Sequence, residues 1–392
     1  MKGKQGLVCM GLLLVLSSCS CHTGKQITAS GLQRKDFQTE VNGQHTDLFT
    51  LSNKQGMEVC ITNYGARVVS ILVPDRNGKR EDVVCGFSTI TEYMEQRQNF
   101  GSTVGRYIGR ILNARFTLDG VEYKLVPNNG KSGHISHGGN PGFADRIWKV
   151  EQADTHRVRL SYLSPDGENG FPGNLKVTLV YSLGEDDNAL DLTYEATTDA
   201  PTVLNLSHHS FFNISGNFTK SVEDQQLWVD ADRFTPYDDK KCVTGEYLPV
   251  AGTPLDFRMP HTIGECIDAD HPQLKVVNGY DHTWELNTKG DDTRPAAWVY
   301  DPASGRKMEI FTTEPGMQIY TGNGLKGKMT GKGGIAYPFR SAVCFETMHF
   351  QDSPNQPGFP STVLRPGEVF RSHTVYKLSL IHISEPTRRT PI

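Results

Sequence analysis

Two residue types that trade protons at neutral pH sit in separate, strand-like stretches of the chain. His209 lies within Asn205-Leu206-Ser207-His208-His209-Ser210-Phe211-Phe212-Asn213, and Glu346 within Cys344-Phe345-Glu346-Thr347. A carboxylate and an imidazole are the natural pair for general acid–base chemistry. If residues 205–213 run as a strand, Asn205, Ser207, His209, Phe211 and Asn213 share one face and His208 points the other way. Only one of the two histidines can then join a given site. The same parity puts Cys344, Glu346, Met348 and Phe350 on one face of residues 342–350. A charge between Cys and Met on an apolar strand is costly unless it is paired or functional. Desolvation would raise the carboxyl's pKa and make it a better base. Each residue also has a plainer reading, as a hydrogen-bonded histidine or a paired carboxylate in the core.

Four further residues could hold a polar ligand. Arg110 closes Gly105-Arg106-Tyr107-Ile108-Gly109-Arg110. That stretch is Gly-rich but has no following Lys-Ser/Thr and no helix context, so it is not a phosphate loop. His137 lies in His134-Ile135-Ser136-His137-Gly138-Gly139. This has the composition of a metal pair, but its spacing matches no strong zinc pattern. Its glycines let backbone approach a ligand closely, or simply shape a turn. Asp281, in Asn278-Gly279-Tyr280-Asp281-His282-Thr283-Trp284, reads as a turn residue beside aromatics. Gln318, within residues 312–323, is a similar polar candidate. Aromatic faces and carboxylates suit a sugar, which has apolar C–H faces and many hydroxyls.

The elements that must carry these groups read as β almost throughout. Residues 115–125 alternate around Asp119-Gly120, a strong hairpin signal. Leu175, Val177, Leu179, Tyr181 and Leu183 fall on one face at period two, and Leu190, Leu192 and Tyr194 repeat the pattern. Trp298-Val299-Tyr300 and Met308-Glu309-Ile310 flank another turn, Asp301-Pro302-Ala303-Ser304-Gly305. A short helix is expected over residues 91–98. The sum is an all-β fold, a large sandwich or barrel, in a single domain over residues 37–379.

The 392-residue chain has a formal net charge of -4, which leaves no basic footprint for nucleic acid. Lys2 and Lys4 precede an apolar run from Leu7 to Leu16, the pattern of a secretory signal over residues 1–18. The run is too short for a comfortable membrane span. Leu16-Ser17-Ser18-Cys19 resembles a bacterial lipobox, with Cys19 as the lipidated residue. The expected product is an exported lipoprotein whose only membrane contact is that anchor, facing the periplasm or cell surface. Residues 19–36 read as a polar tether. Cys60, Cys85 and Cys344 read as buried thiols. Residues 380–392 break the β pattern and read as a non-native or disordered tail.

Taken in order, these stretches resemble the aldose 1-epimerase (galactose mutarotase) family over essentially all of residues 37–378. The resemblance also rests on Asn63-Tyr64-Gly65-Ala66, Asp166-Gly167-Glu168-Asn169-Gly170-Phe171-Pro172-Gly173, Thr253-Pro254-Leu255-Asp256-Phe257-Arg258 and Pro366-Gly367-Glu368. It implies a β-supersandwich, interconversion of the α and β anomers of free hexoses such as glucose and galactose, and no cofactor or metal. It implies Glu346 as general base, His209 as general acid, and Arg110, His137, Asp281 and Gln318 as holders of sugar hydroxyls. The chain departs from the family pattern at Gly109, where Asn commonly precedes the arginine, and at Ser136, where Leu is usual. Met348 and Gln351-Asp352 also stand where Gln and a following Pro-Asp are usual. These positions bear on sugar affinity more than on reaction type. A glycosidase using Asp281 and Glu346, a non-catalytic sugar-binding lipoprotein and an epimerase of phosphorylated sugars are the competing classes.

Overall fold

Alternating apolar residues become buried faces of long antiparallel strands. The computed structural model describes residues 26–381, whose strand ladders form sheets of nine, six and four strands and five two-stranded ribbons. In the nine-stranded sheet, Lys149–Ala153, Arg157–Ser164, Leu175–Leu183 and Ala189–Thr198 run in sequence order, followed by Phe370–Leu380, Arg306–Thr312, Ala297–Tyr300, Gln226–Val229 and His261–Thr262. The C-terminal strand is thus fifth of the nine, between elements close to 180 and close to 70 residues upstream of it. Leu179 pairs with Tyr194 and Tyr181 with Leu192, so the period-two faces meet in register on the core side.

The second sheet has six strands, ordered Phe211–Phe212, Val343–Met348, Gly316–Tyr320, Asp281–Glu285, Arg233–Thr235 and Leu248–Pro249. Its inner face buries Phe345, Ile319 and Trp284 in one continuous core with Leu179, Leu192 and Ile310 of the large sheet. Two polar ties cross the layers: the Tyr376 hydroxyl donates to the Phe345 carbonyl at 2.9 Å, and the Thr347 and Thr374 hydroxyls lie 2.7 Å apart. A four-stranded meander, Leu48–Ser52, Glu58–Thr62, Arg67–Pro74 and Arg80–Asp82, feeds Val59, Ile61 and Ile71 into the same core. This is the all-β sandwich expected.

Local signals behave as their chemistry requires. Asp119 and Gly120 both take positive φ, 52° and 79°, as a two-residue turn of the primed type demands. The short helix is Ile90–Gln96, shifted one residue at its start because Thr89 caps it in a reciprocal box with Glu92. A second helix, Pro272–Val277, is too short for its periodicity to show in the sequence; Pro at its start and left-handed Asn278 at its end bound it.

The expected tether is corrected. Residues 26–36 are folded: Leu32 and Phe37 are buried against Leu48, Cys60 and Val69, and Arg34 forks onto Asp47. Two large apolar anchors in a polar stretch leave little compositional trace. Cys19, the signal over residues 1–18 and the tail beyond residue 381 lie outside the described residues, and the closing strand ends at Leu380. The described cysteines are Cys60, Cys85, Cys242, Cys266 and Cys344, all free thiols; Cys60, Cys85 and Cys344 are buried.

Candidate active site

Neighbouring strands of the six-stranded sheet lay polar side chains in rows across its outer face. Thr283, Gln318 and Glu346 are successive cross-strand partners, and Asp281, Tyr320, Cys344 and Phe211 form the next row. A period of two puts both rows on the same side. Asp281 opens the Asp281–Glu285 strand rather than sitting in the turn expected of it. The turn is made just before it, at Asn278 and Gly279, with φ 61° and 135°. The Asp281 carboxylate accepts from Gln318 Nε2 at 2.6 Å, and the Thr283 hydroxyl donates to Gln318 Oε1 at 2.5 Å.

His209 arrives from beside this sheet. Residues 205–213 form two short strands rather than one: Ser207–His209 pairs with Ser102–Val104, and Phe211–Phe212 with Val343–Met348. The change of partner falls at Ser210, yet the parity holds across it. The His209 ring stacks on Phe211 with centroids 5.1 Å apart. His208 points the other way, its Nε2 2.7 Å from Ser210 Oγ and its Nδ1 3.4 Å from the Tyr181 hydroxyl. Burial pushes His208 down to about 3, so it is a neutral core residue.

Arg110 begins a two-residue strand, Arg110–Ile111, and His137 follows its partner strand, Ile135–Ser136. Arg110 pairs with Ser136 across a two-strand bridge, and the His137 backbone N–H donates to the Gly109 carbonyl at 2.9 Å. The other arginine of that segment, Arg106, is buried and donates to the Pro172 and Gly173 carbonyls and to Ser164, a structural role. Arg110, His137, His209, Asp281, Gln318 and Glu346 all line one cavity of about 240 Å³. Tyr320 and Gln351 line it as well. Sequence reasoning singled out neither as a ligand contact. Tyr320 could have been found by counting two residues along the strand from Gln318. Gln351 lies beyond the end of its strand, where no period applies.

His209 Nε2 is 3.4 Å from Glu346 Oε1, and both side chains are buried. Burial pushes the Glu346 carboxyl well up, with the Asp281 charge adding to it. Burial also pushes the His209 imidazole well down, helped by nearby His137. Both effects favour the uncharged pair, with one shared proton resting on the carboxyl; the attraction of opposite charges 3.4 Å apart favours the ion pair. His137 is pushed down to about 4 by burial and then by Arg110, and its Nδ1 is buried with no hydrogen-bond partner among the described residues. Burial raises Asp281, against the pull of Arg110 and the Gln318 hydrogen bond.

Among the described residues, one group has donor atoms close enough for a metal ion: those of His209, Cys344 and Glu346 all lie within 4.8 Å. The ring turns Nδ1 to Cys344 Sγ at 3.6 Å and Nε2 to Glu346, so one ion could not take all three through the nitrogens that now face them. His134 and His137 diverge instead of pairing: His134 Nδ1 accepts from the Asn113 N–H at 2.9 Å, and its Nε2 lies 3.3 Å from Cys242 Sγ.

A family model described as Aldose 1-epimerase matches residues 47–377. The chain is 39% identical over 332 residues to galactose mutarotase of Sus scrofa, covering 85% of this chain and 94% of that protein. It is 36% identical over 338 residues to aldose 1-epimerase of Escherichia coli K12, covering 86% and 96%. A crystal structure of a GalM/aldose epimerase homologue from C. elegans superposes with a TM-score of 0.79 at 30% identity, covering 86% of this chain and 100% of that one.

Proposed function

The chain belongs to the aldose 1-epimerase family, and on that premise we propose that it interconverts the α and β anomers of free aldoses, neutral hexoses such as glucose and galactose among them. The observation that carries this reading is the carboxyl–imidazole pair, 3.4 Å apart at one side of a cavity lined with groups that bind hydroxyls. At about 240 Å³ the cavity is smaller than the ~300–1,000 Å³ of drug-sized pockets and suits a single sugar ring.

Glu346, as carboxylate, takes the proton of the C1 hydroxyl. The O–H electrons form the C1 carbonyl, the C1–ring oxygen bond breaks, and its electron pair takes the proton that His209 donates. Rotation about C1–C2 turns the other carbonyl face to the ring-forming hydroxyl. Closure runs the steps backwards: His209 regains its proton from that hydroxyl, and the new C1 oxygen takes the proton held by Glu346. The catalytic pair ends as it began. Arg110, His137, Asp281 and Gln318 hold the remaining hydroxyls, and the aromatic side chains of Tyr320 and Phe211 line the cavity beside them.

The test is anomer exchange of α-glucose and α-galactose by polarimetry or exchange NMR. Glu346→Gln should keep the fold and lose at least about 10²-fold in rate, the share of one proton transfer. Near-normal turnover in that variant would refute the assignment.

We also propose that the protein is exported and lipidated at Cys19. The support is sequence pattern: Lys2 and Lys4, the apolar run from Leu7 to Leu16, and Leu16-Ser17-Ser18-Cys19. On that reading the enzyme conditions sugars outside the cytoplasm, for uptake.

A further inference from the structure

We infer that Gln351 is a specificity-determining residue of this pocket, presenting its amide to sugar hydroxyls from the space that a side chain at position 109 would otherwise fill. The inference rests on the sugar-binding reading above and adds a residue to it.

Gly109 and Gln351 compete for one volume. Gly109 lines the cavity with φ +76°, and a Cβ built on it would fall 2.5 Å from Gln351 Cγ, 3.0 Å from Cδ and 3.3 Å from Cβ. Atoms do not pack that closely, so a side chain at 109 requires the Gln351 side chain to shift from its present place. Gln351 is held in place by polar contacts. Its Nε2 donates to the Tyr237 hydroxyl at 2.7 Å and reaches Gln318 Oε1 at 3.4 Å. Its Oε1 accepts from the Arg110 backbone N–H at 3.3 Å.

These contacts place the amide between two parts of the site. One side is the main chain of Arg110; the other is the Gln318–Asp281 pair. The Oε1 contact is long and uses one of two lone pairs, so the carbonyl can accept from a hydroxyl as well. Gln351 is 4% exposed, and a buried amide is costly where an apolar residue would serve the fold. A site built to hydrogen-bond hydroxyls discriminates by leaving its own polar groups unpaired when the wrong sugar binds.

The experiment measures sugar binding by NMR titration and turnover by anomer exchange, each with glucose and galactose. Gln351→Ala should raise Kd and KM about tenfold for at least one sugar, the loss of about one hydrogen bond. It should change the glucose-to-galactose preference and leave kcat within about threefold, a split that a merely structural role would not produce. Asn tolerates the left-handed backbone at 109, so Gly109→Asn isolates the volume conflict. Alone it should weaken binding about tenfold, and in the Gln351→Ala background it should cost less than about threefold, a non-additivity diagnostic of contact. An unchanged Kd for both sugars in folded Gln351→Ala protein, or strictly additive effects of the two substitutions, would overturn the inference. Binding without anomer exchange by the unaltered protein would sink the catalytic reading while leaving Gln351 to be judged on Kd. Failure to bind either sugar would overturn both.

Discussion

At the scale of single residues, the proposed mechanism runs only while His209 and Glu346 hold one proton between them. A second proton charges His209 beside a protonated Glu346; loss of the last leaves no acid. Burial lowers His209 below its ordinary 6.5 and raises Glu346 above its ordinary 4.5. The acid limb of kcat/KM for the free enzyme is therefore expected below 6.5 and the alkaline limb above 4.5, the two values belonging to the pair rather than to either residue. The full pH profile checks this, and an acid limb centred above 6.5 would contradict a desolvated imidazole. The sequence made much of this scale legible. Strand parity alone assigned His209 and His208 to opposite faces, and a carboxylate between Cys344 and Met348 marked itself by its cost. It could not separate Arg106 from Arg110 by residue type, because the difference lies in carbonyls that arrive from 58 and more residues away.

At the scale of elements, the closing strand Phe370–Leu380 carries an ionic clip. His373 sits 2.6 Å from Asp191 on the adjacent strand and 2.6 Å from Asp292 in a loop. The Asp191 hydrogen bond, and then that of Asp292, push it up to about 9 against its burial. A raised imidazole pKa stabilises the fold fully below the unfolded value near 6.5, and that contribution is lost as pH rises through about 9. With partial solvent screening it amounts to roughly 1–2 kcal/mol. His373→Gln should lower Tm at pH 6 and match the parent protein at pH 10; an equal loss at both would show that packing, not charge, is responsible. Strands of this kind were legible because one buried face writes its period into the chain. The turn before Asp281 was placed two to three residues late because Asn278 and Gly279 reverse the chain so tightly that the next residues already pair.

At the scale of the whole molecule, buried guanidiniums tie the layers. Arg306 donates to the carbonyls of Val73, Pro74, Lys79, Ile214 and Ser215, joining the large sheet to the meander and to the loop after Phe212. None of these carbonyls has a sequence signature, so how the layers are joined was not legible although their β character and their alternation of apolar and polar faces were. The N-terminal boundary was missed because Leu32 and Phe37 are isolated apolar anchors in a polar stretch. Placement in the cell is a question at this scale too: on the export proposal, Cys19→Ser should release the folded protein from membranes into the soluble fraction, since several acyl chains anchor a protein stably and an unlipidated one has none. Recovery of the parent protein unlipidated in the cytoplasm would defeat the export proposal. The position of the closing strand as fifth of nine has its own bearing on the order of folding. A chain delivered end-first from its N-terminus brings four strands of the large sheet, then four more, and each block waits with an open edge. Only the final 11-residue strand bridges them. Until it emerges from the ribosome or the translocation channel, the two blocks are sticky partners for other nascent chains. Completion of the large sheet is thereby deferred until residues 370–380 are available, long after its first four strands have been made.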